Sequence, residues 1–451
     1  MRPTAVPPGP AAPYAPPAGA PDADRLLVRA LGVRQLAAGI FNYTVGTGIY
    51  VLPGLVVAQL GGAAPLAYLL CAVVIGLVVL VFAEAGSRVT VTGGPYAYVE
   101  RGLGPFPGLV AGVLLAISDV TALAAVAAVL AGSLLRLVGA EGALWQGVVV
   151  SALIAGLAAV NRRGVRSSAR LIELSSAAKL IPLLLFVAVG ALFVSADNLR
   201  WDAVPTAGAI ARTSGTLIFA FTGMESALLP SGEVRDNART VPRAVILALG
   251  GTTLLYLAVQ TVALGVTGTA IADDTVAPLA TAAGTFAGRA GRTVILVGAA
   301  VSMFGWISGS LFAGPRTLFA LARDGFLPAR LAGVHPTHRT PHVAILLYAV
   351  LAGALALSSS FERLAVLSNL TVLGVYTLSA VAVLVLRRRD VRDGGEPFRT
   401  PGGPAVPLLA CAVIAWIVMK TATRAEVVAL LVTLALTAVA YATRRRAVAG
   451  R

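Results

Sequence analysis

The chain has 451 residues, of which 57% are hydrophobic and only 12% charged, against about 25% charged in a typical soluble domain. A globule needs a wet exterior, so this composition excludes a string of soluble domains and calls for hydrocarbon as the solvent. A net charge of +15 would suggest nucleic acid in a soluble chain, but here the arginines lie between apolar spans and read as membrane topology.

Residues 1 to about 24 are rich in Pro and Ala and read as a disordered cytoplasmic tail. The first apolar span starts later and is too long for a signal peptide. Runs of about 17–25 apolar residues then recur twelve times. They lie at roughly 35–60, 64–87, 106–135, 143–160, 171–195, 209–230, 243–268, 293–320, 342–358, 363–386, 405–420 and 424–442. With the N-terminus inside, arginines crowd every second loop, as at Arg162, Arg163, Arg166 and Arg170, then Arg235, Arg239 and Arg243, then Arg387, Arg388 and Arg389. Arg316, Arg323, Arg330 and Arg339 are assigned to the loop between spans eight and nine. The opposite loops hold few, so the alternation obeys the positive-inside rule and puts both termini in the cytoplasm. Cys71 and Cys411 lie inside spans and suit neither a disulfide nor a metal. His335, His338 and His342 are close in sequence, but no carboxylate or cysteine joins them, so no metal site is expected.

Two spans carry helix breakers near their middles. The first holds Gly46-Thr47-Gly48, and the sixth holds Thr222-Gly223 followed by Glu225 and Pro230. Close helix packing is one reading of such glycines. Unwinding is the other, tolerable at that depth only where the backbone lines a cavity or is buried in protein. Freed N–H groups at a half-helix start suit a carboxylate, and freed carbonyls suit an ammonium or a cation. Breaks five spans apart are what two inverted five-helix repeats produce.

The segment Gly46-Thr47-Gly48-Ile49-Tyr50 resembles the first-helix signature of the amino acid–polyamine–organocation transporters. In order, Gly93-Gly94-Pro95-Tyr96-Ala97-Tyr98, residues 161–170, residues 219–242, Ala322 to Pro328 with Thr340-Pro341-His342, and Pro397 to Pro401 resemble later motifs of the same family. The resemblance covers nearly the whole chain beyond the tail. It implies an all-α polytopic membrane protein with a LeuT-like fold. Repeat 1 would cover residues 25–200 and repeat 2 residues 201–390, with two accessory helices in 391–451. It implies alternating access by rocking of a helix bundle against a scaffold in the cytoplasmic membrane. It further implies a substrate carboxylate on the amides of Gly46, Thr47 and Gly48, and an amino group on carbonyls around Phe219, Ala220 and Thr222 beside Gly223, with Phe219 as the covering aromatic. Some exchangers of cationic amino acids carry a Trp partway along the eighth helix, and here Ser310 is read as standing in that place.

Charges at mid-bilayer cost about 2.5–3.5 kcal/mol on insertion scales, so each needs a reason. Lys179 in span five has two readings. By the resemblance it replaces a sodium ion between helices one, five and eight and carries the coupling proton; otherwise it is a permanently charged strut. Glu225 either supports the unwound backbone or faces the substrate. Asp119, midway along span three, pairs either with a positive group on the substrate or with Lys179. Glu84 ends span two and reads as interfacial, without a role. The expected function is a secondary transporter of amino acids or related amines, sodium-independent and proton-coupled, leaning to cationic amino acids or polyamines. An exchanger of small neutral substrates is the nearest alternative, and a channel or a non-transporting sensor the alternative from another class. The loops carry no nucleotide loop, diiron pattern or Ser-His-Asp set, so neither an enzyme nor a cofactor is expected. The partners are substrate, proton and lipid, with no nucleic acid.

Overall fold

The computed structural model describes residues 31–449 except 138, 141, 163–164, 202–203, 230, 275–276 and 339. The tail expected at 1–24 lies outside the described residues. Among the described residues every regular element is helical, and one isolated bridge joins Leu31 to Val234. The chain order is α1 (Val33–Thr44), α2 (Gly48–Leu60), α3 (Ala64–Arg88), α4 (Pro95–Leu103), α5 (Pro105–Leu137), α6 (Ala143–Arg162), α7 (Val165–Gly190) and α8 (Ala207–Phe221). It continues with α9 (Met224–Ala227), α10 (Asn237–Thr267), α11 (Pro278–Arg323), α12 (His342–Ser358), α13 (Phe361–Arg388), α14 (Ala405–Thr421) and α15 (Arg424–Ala449).

Seven helical stretches among the described residues are long and apolar enough to cross a membrane, and three shorter apolar helices accompany them. Neither α1, with 12 residues, nor α8, with 15, is long enough to cross alone. Each stops at a break that the sequence marks with glycine. Val45 leaves the helical region after α1, with φ −78° and ψ 89°. Gly223 follows α8 with φ 109°, a conformation open chiefly to glycine. The two breaks face each other at close range. A Cβ on Gly48 would lie 2.7 Å from Ala220 Cα, and one on Gly223 would lie 2.5 Å from the Tyr43 carbonyl oxygen.

Two hydrophobic cores flank this junction. One gathers residues of α1, α2, α3, α8 and α10, among them Ile40, Val45, Phe82, Ile218 and Tyr256. The other gathers residues of α5, α6, α11 and α12, among them Leu123, Ile154, Ile307 and Ala352. The residues around the breaks, among them Val45, Ile49, Phe221 and Met224, belong to the first core, and Phe219 and Trp306 pack against the second. The family-like motifs brace the same region. Gly93 N–H donates to the Leu229 carbonyl (3.0 Å), and the hydroxyls of Tyr98 and Ser231 share a hydrogen bond (3.3 Å), so the segment after α3 supports the chain that follows α9. Tyr96 donates to Asp324 Oδ2 (2.7 Å), joining two of the motifs directly.

Two expectations need correction. Arg316 and Arg323 do not lie in a loop: α11 runs to Arg323, and Arg316 stacks on Phe312 at 3.7 Å from the ring centroid while donating to its carbonyl. The helix outlasts its apolar stretch because such a guanidinium covers apolar surface with its stem. Glu84 is likewise not a loose interfacial charge but fully buried. Its Oε1 accepts from Arg88 Nε and Nη2 (3.0 and 2.9 Å) and Arg387 Nε (2.7 Å). Its Oε2 accepts from Arg387 Nη2 (2.5 Å) and Thr400 N (3.0 Å). One carboxylate thus ties α3, α13 and the segment after α13 together. Glu84→Ala strands two arginines, a loss of about 3–5 kcal/mol for a broken buried pair. It should lower the unfolding temperature of the purified protein in detergent well below that of Glu396→Ala, whose partner Arg392 is exposed.

Candidate functional site

The last four carbonyls of a helix have no partners inside it. At the end of α1 the protein supplies them from other helices. The Asn42 and Val45 carbonyls both accept from the Lys179 ammonium of α7, at 2.6 and 2.7 Å. Val45 also accepts from Ser302 Oγ of α11 (3.2 Å). The Tyr43 carbonyl accepts from Trp306 Nε1 of α11 (2.6 Å), and Thr44 accepts from the Tyr256 hydroxyl of α10 (3.0 Å). Four successive carbonyl oxygens are therefore held by donors from three helices. Lys179 has no exposed surface.

The other side of the break is different. Helix α2 starts with Thr47 as an N-cap that makes no side-chain capping bond, and Thr47 Oγ1 is buried without a partner. Among the described residues the amides of Gly46, Thr47 and Gly48 have no backbone acceptor. Donor groups at the positive end of a 13-residue helix thus lie buried and uncapped, which suits a carboxylate or another anion.

The sixth-span break is more fully occupied. Thr222 Oγ1 donates to the Phe219 carbonyl (3.0 Å), and the Tyr256 hydroxyl reaches the Ala220 carbonyl (2.9 Å) as well as Thr44. Of the carbonyls expected to meet an amino group, Phe219 thus already holds a protein donor, and Ala220 shares the single Tyr256 proton with Thr44. Glu225 Oε1 accepts from Gly223 N (2.9 Å), and Oε2 accepts from the Tyr376 hydroxyl of α13 (2.8 Å). This carboxylate bridges the unwound backbone to α13. Phe219 lies edge-on to Phe361, with ring centroids 5.9 Å apart.

Asp119 on α5 is buried. Its Oδ1 accepts from Ser226 Oγ of α9 (2.9 Å), while Oδ2 has no protein partner. Lys179 turns to the α1 carbonyls, so the structure forms no Asp119–Lys179 ion pair. Ser310 shares a hydrogen bond with the Tyr348 hydroxyl of α12 (3.1 Å). The aromatic that meets the first break is Trp306, one turn before Ser310. Ser302, Trp306 and Ser310 recur every four residues along one face of α11, a polar and aromatic stripe that could have set this register from sequence. Tyr43, Tyr256, Ser226 and Tyr376 carried no such signal, since each looks like an ordinary residue of its span.

Residues 31–441 match the family model described as amino acid permease. The methylthioribose transporter of Bacillus subtilis (strain 168) is 30% identical over 411 residues, covering 86% of this chain and 88% of the relative. The branched-chain amino acid permease BcaP of the same strain is 26% identical over 404 residues, covering 86% and 87%. An uncharacterized transporter of Mycobacterium tuberculosis (strain ATCC 25618 / H37Rv) is 32% identical over 356 residues, covering 72% of each chain. With its long apolar helices, the chain is a multi-pass membrane protein that belongs to the amino acid permease family of the amino acid–polyamine–organocation superfamily.

Proposed function

We propose that this permease is a secondary active transporter of amino acids or related amines in the cytoplasmic membrane, working by alternating access. The observation that carries this reading is the buried, uncapped start of α2, with the amides of Gly46, Thr47 and Gly48 free of backbone acceptors. A substrate carboxylate there would satisfy donors that a buried backbone otherwise leaves unpaired. The architecture that goes with it has twelve spans in two inverted repeats of five plus two accessory helices, with both termini cytoplasmic. The opposed breaks after α1 and α8 support it.

Sodium-independent, proton-coupled transport is part of the proposal. Lys179 presents an ammonium to the Asn42 and Val45 carbonyls beside Ser302, a set of oxygens that would otherwise suit a small cation. A lysine that fills this place leaves no need for sodium, and a proton leaving it would free the carbonyls and loosen α1 from α7 and α11. The lean to amine-bearing substrates rests on Asp119, whose unpartnered Oδ2 would accept from a second amine or a guanidinium. The second reading is a carrier of small neutral substrates. It is favoured by two relatives named for methylthioribose and for branched-chain amino acids, cargoes without a side-chain cation.

In proteoliposomes, uptake should be unaffected by replacing sodium with choline and should rise with an inward proton gradient. Lys179→Ala, which removes two hydrogen bonds from a charged donor worth about 1.5–3 kcal/mol each, should leave uptake at background with the protein still folded. Sodium-dependent uptake by the wild type would overturn the coupling. Asp119→Asn separates the two substrate readings. It should weaken binding of lysine, arginine, ornithine or polyamines by about 2–5 kcal/mol, as for a truncated buried charge pair, and spare neutral amino acids. An equal effect on every substrate would place Asp119 in the coupling machinery instead.

A further inference from the structure

A second feature lies away from the breaks, where α10 begins. An open cleft of about 620 Å³ is lined by Arg239, Arg243, Ile246 and Leu247 of α10, by Val33 of α1, and by Glu396, Pro397 and Phe398. Its walls are fixed rather than loose. The lead-in to α1 is pinned where Leu31 pairs with Val234 and its carbonyl accepts from Arg235 N (2.9 Å). The opposite wall is pinned by Phe398 N to Ser87 Oγ (3.0 Å) and by Thr400 N to Glu84 Oε2 (3.0 Å). The floor is α10 itself.

Arg239 and Arg243 stand four residues apart and so lie on one helix face. Both are exposed. Arg239 approaches Asp236 only at 3.8 Å, as a solvent-facing pair, which carries little energy. Arg243 has no ion pair among the described residues. Glu396, the one carboxylate in the lining, faces Arg392 at 3.4 Å. The same face of α10 then turns apolar and outward. Leu247 and Leu254 are 62% and 71% exposed, and beside Gly250 nothing lies within 4 Å of where a side chain would start. Two guanidinium groups at one end of an apolar, grooved stripe match the two halves of a phospholipid. Arginine binds phosphate oxygens in a bidentate fork, and the cleft is of the size that holds small ligands.

We propose that this cleft binds one anionic phospholipid, with its phosphate between Arg239 and Arg243 and an acyl chain along Leu247, Gly250 and Leu254. The site is separate from the transport site and does not depend on which substrate is carried. The lipid would bridge α1, α10 and the segment after α13, elements that Glu84 and the Leu31–Val234 pair already bring together.

Native mass spectrometry of the full chain, offered equimolar phosphatidylglycerol and phosphatidylcholine in detergent, tests this. The wild type should retain phosphatidylglycerol preferentially. Arg239→Gln and Arg243→Gln should each lower that preference about fivefold, the contribution of one basic residue near an anionic lipid. The double variant should abolish it, and the single variants serve if the double one does not fold. Glycerophosphoglycerol, the headgroup without chains, should not displace the lipid. Equal retention of both lipids by the wild type would overturn the proposal. So would a preference that survives in the folded double variant, or displacement by the soluble headgroup, which would make this a site for free phosphate esters.

Discussion

Everything at the centre of this molecule depends on four carbonyl oxygens, those of Asn42, Tyr43, Thr44 and Val45, that α1 leaves behind where it breaks. A buried carbonyl without a donor costs about 1–3 kcal/mol, and more in hydrocarbon. Four in a row could not persist inside a membrane unless other helices came to meet them. Lys179, Trp306, Tyr256 and Ser302 do so from α7, α11 and α10. The break is therefore asymmetric. Its acceptor half is closed by the protein's own side chains, and its donor half, the start of α2, is left open. That asymmetry leaves buried donors at the place where the proposed function puts the negative group of the substrate.

The same bonds link the end of α1 to three other helices. Tyr256 touches the end of α1 and the end of α8 with one hydroxyl, so the two broken segments are coupled through α10. Lys179 comes from α7, whose Leu183 and Phe186 belong to the same core as α1, whereas Ser302 and Trp306 reach α1 from the stretch of α11 whose Met303 and Ile307 belong to the second core. Alternating access, as proposed, requires some of these bonds to exchange while others persist, the kind of discrete rearrangement that packed interfaces permit. The Glu84 cluster marks a third connection, where α3 and α13 are joined by a buried ion triad. Such a triad tolerates little geometric change, because separating its members strands charges out of water.

Much of this was legible in the sequence. The helical positions followed from apolar runs, and both breaks followed from glycines set in the middle of such runs. Lys179 and Asp119 stood out because a charge in an apolar run demands a reason. What the sequence hid depends on helix rotation and long-range approach. Ser310 was read as the residue in the place of an aromatic, and the aromatic that donates to the first break is Trp306, one turn earlier, a difference below the resolution of span boundaries. Glu84 read as interfacial because its partners, Arg387 and Thr400, lie about 300 residues away in the chain. The bond between Asp119 and Ser226 is equally non-local.

Only two lysines, Lys179 and Lys420, occur in the chain, which permits a direct view of the central contact. With Lys420 replaced by arginine, the protein labelled with ¹³C and ¹⁵N at the lysine side chain yields one ammonium signal in magnetic resonance. The expected result is protons shielded from exchange with water, a signal indifferent to added sodium, and a shift when a transported substrate binds at α2. An ammonium that exchanges freely with solvent, or one that sodium displaces, would contradict it.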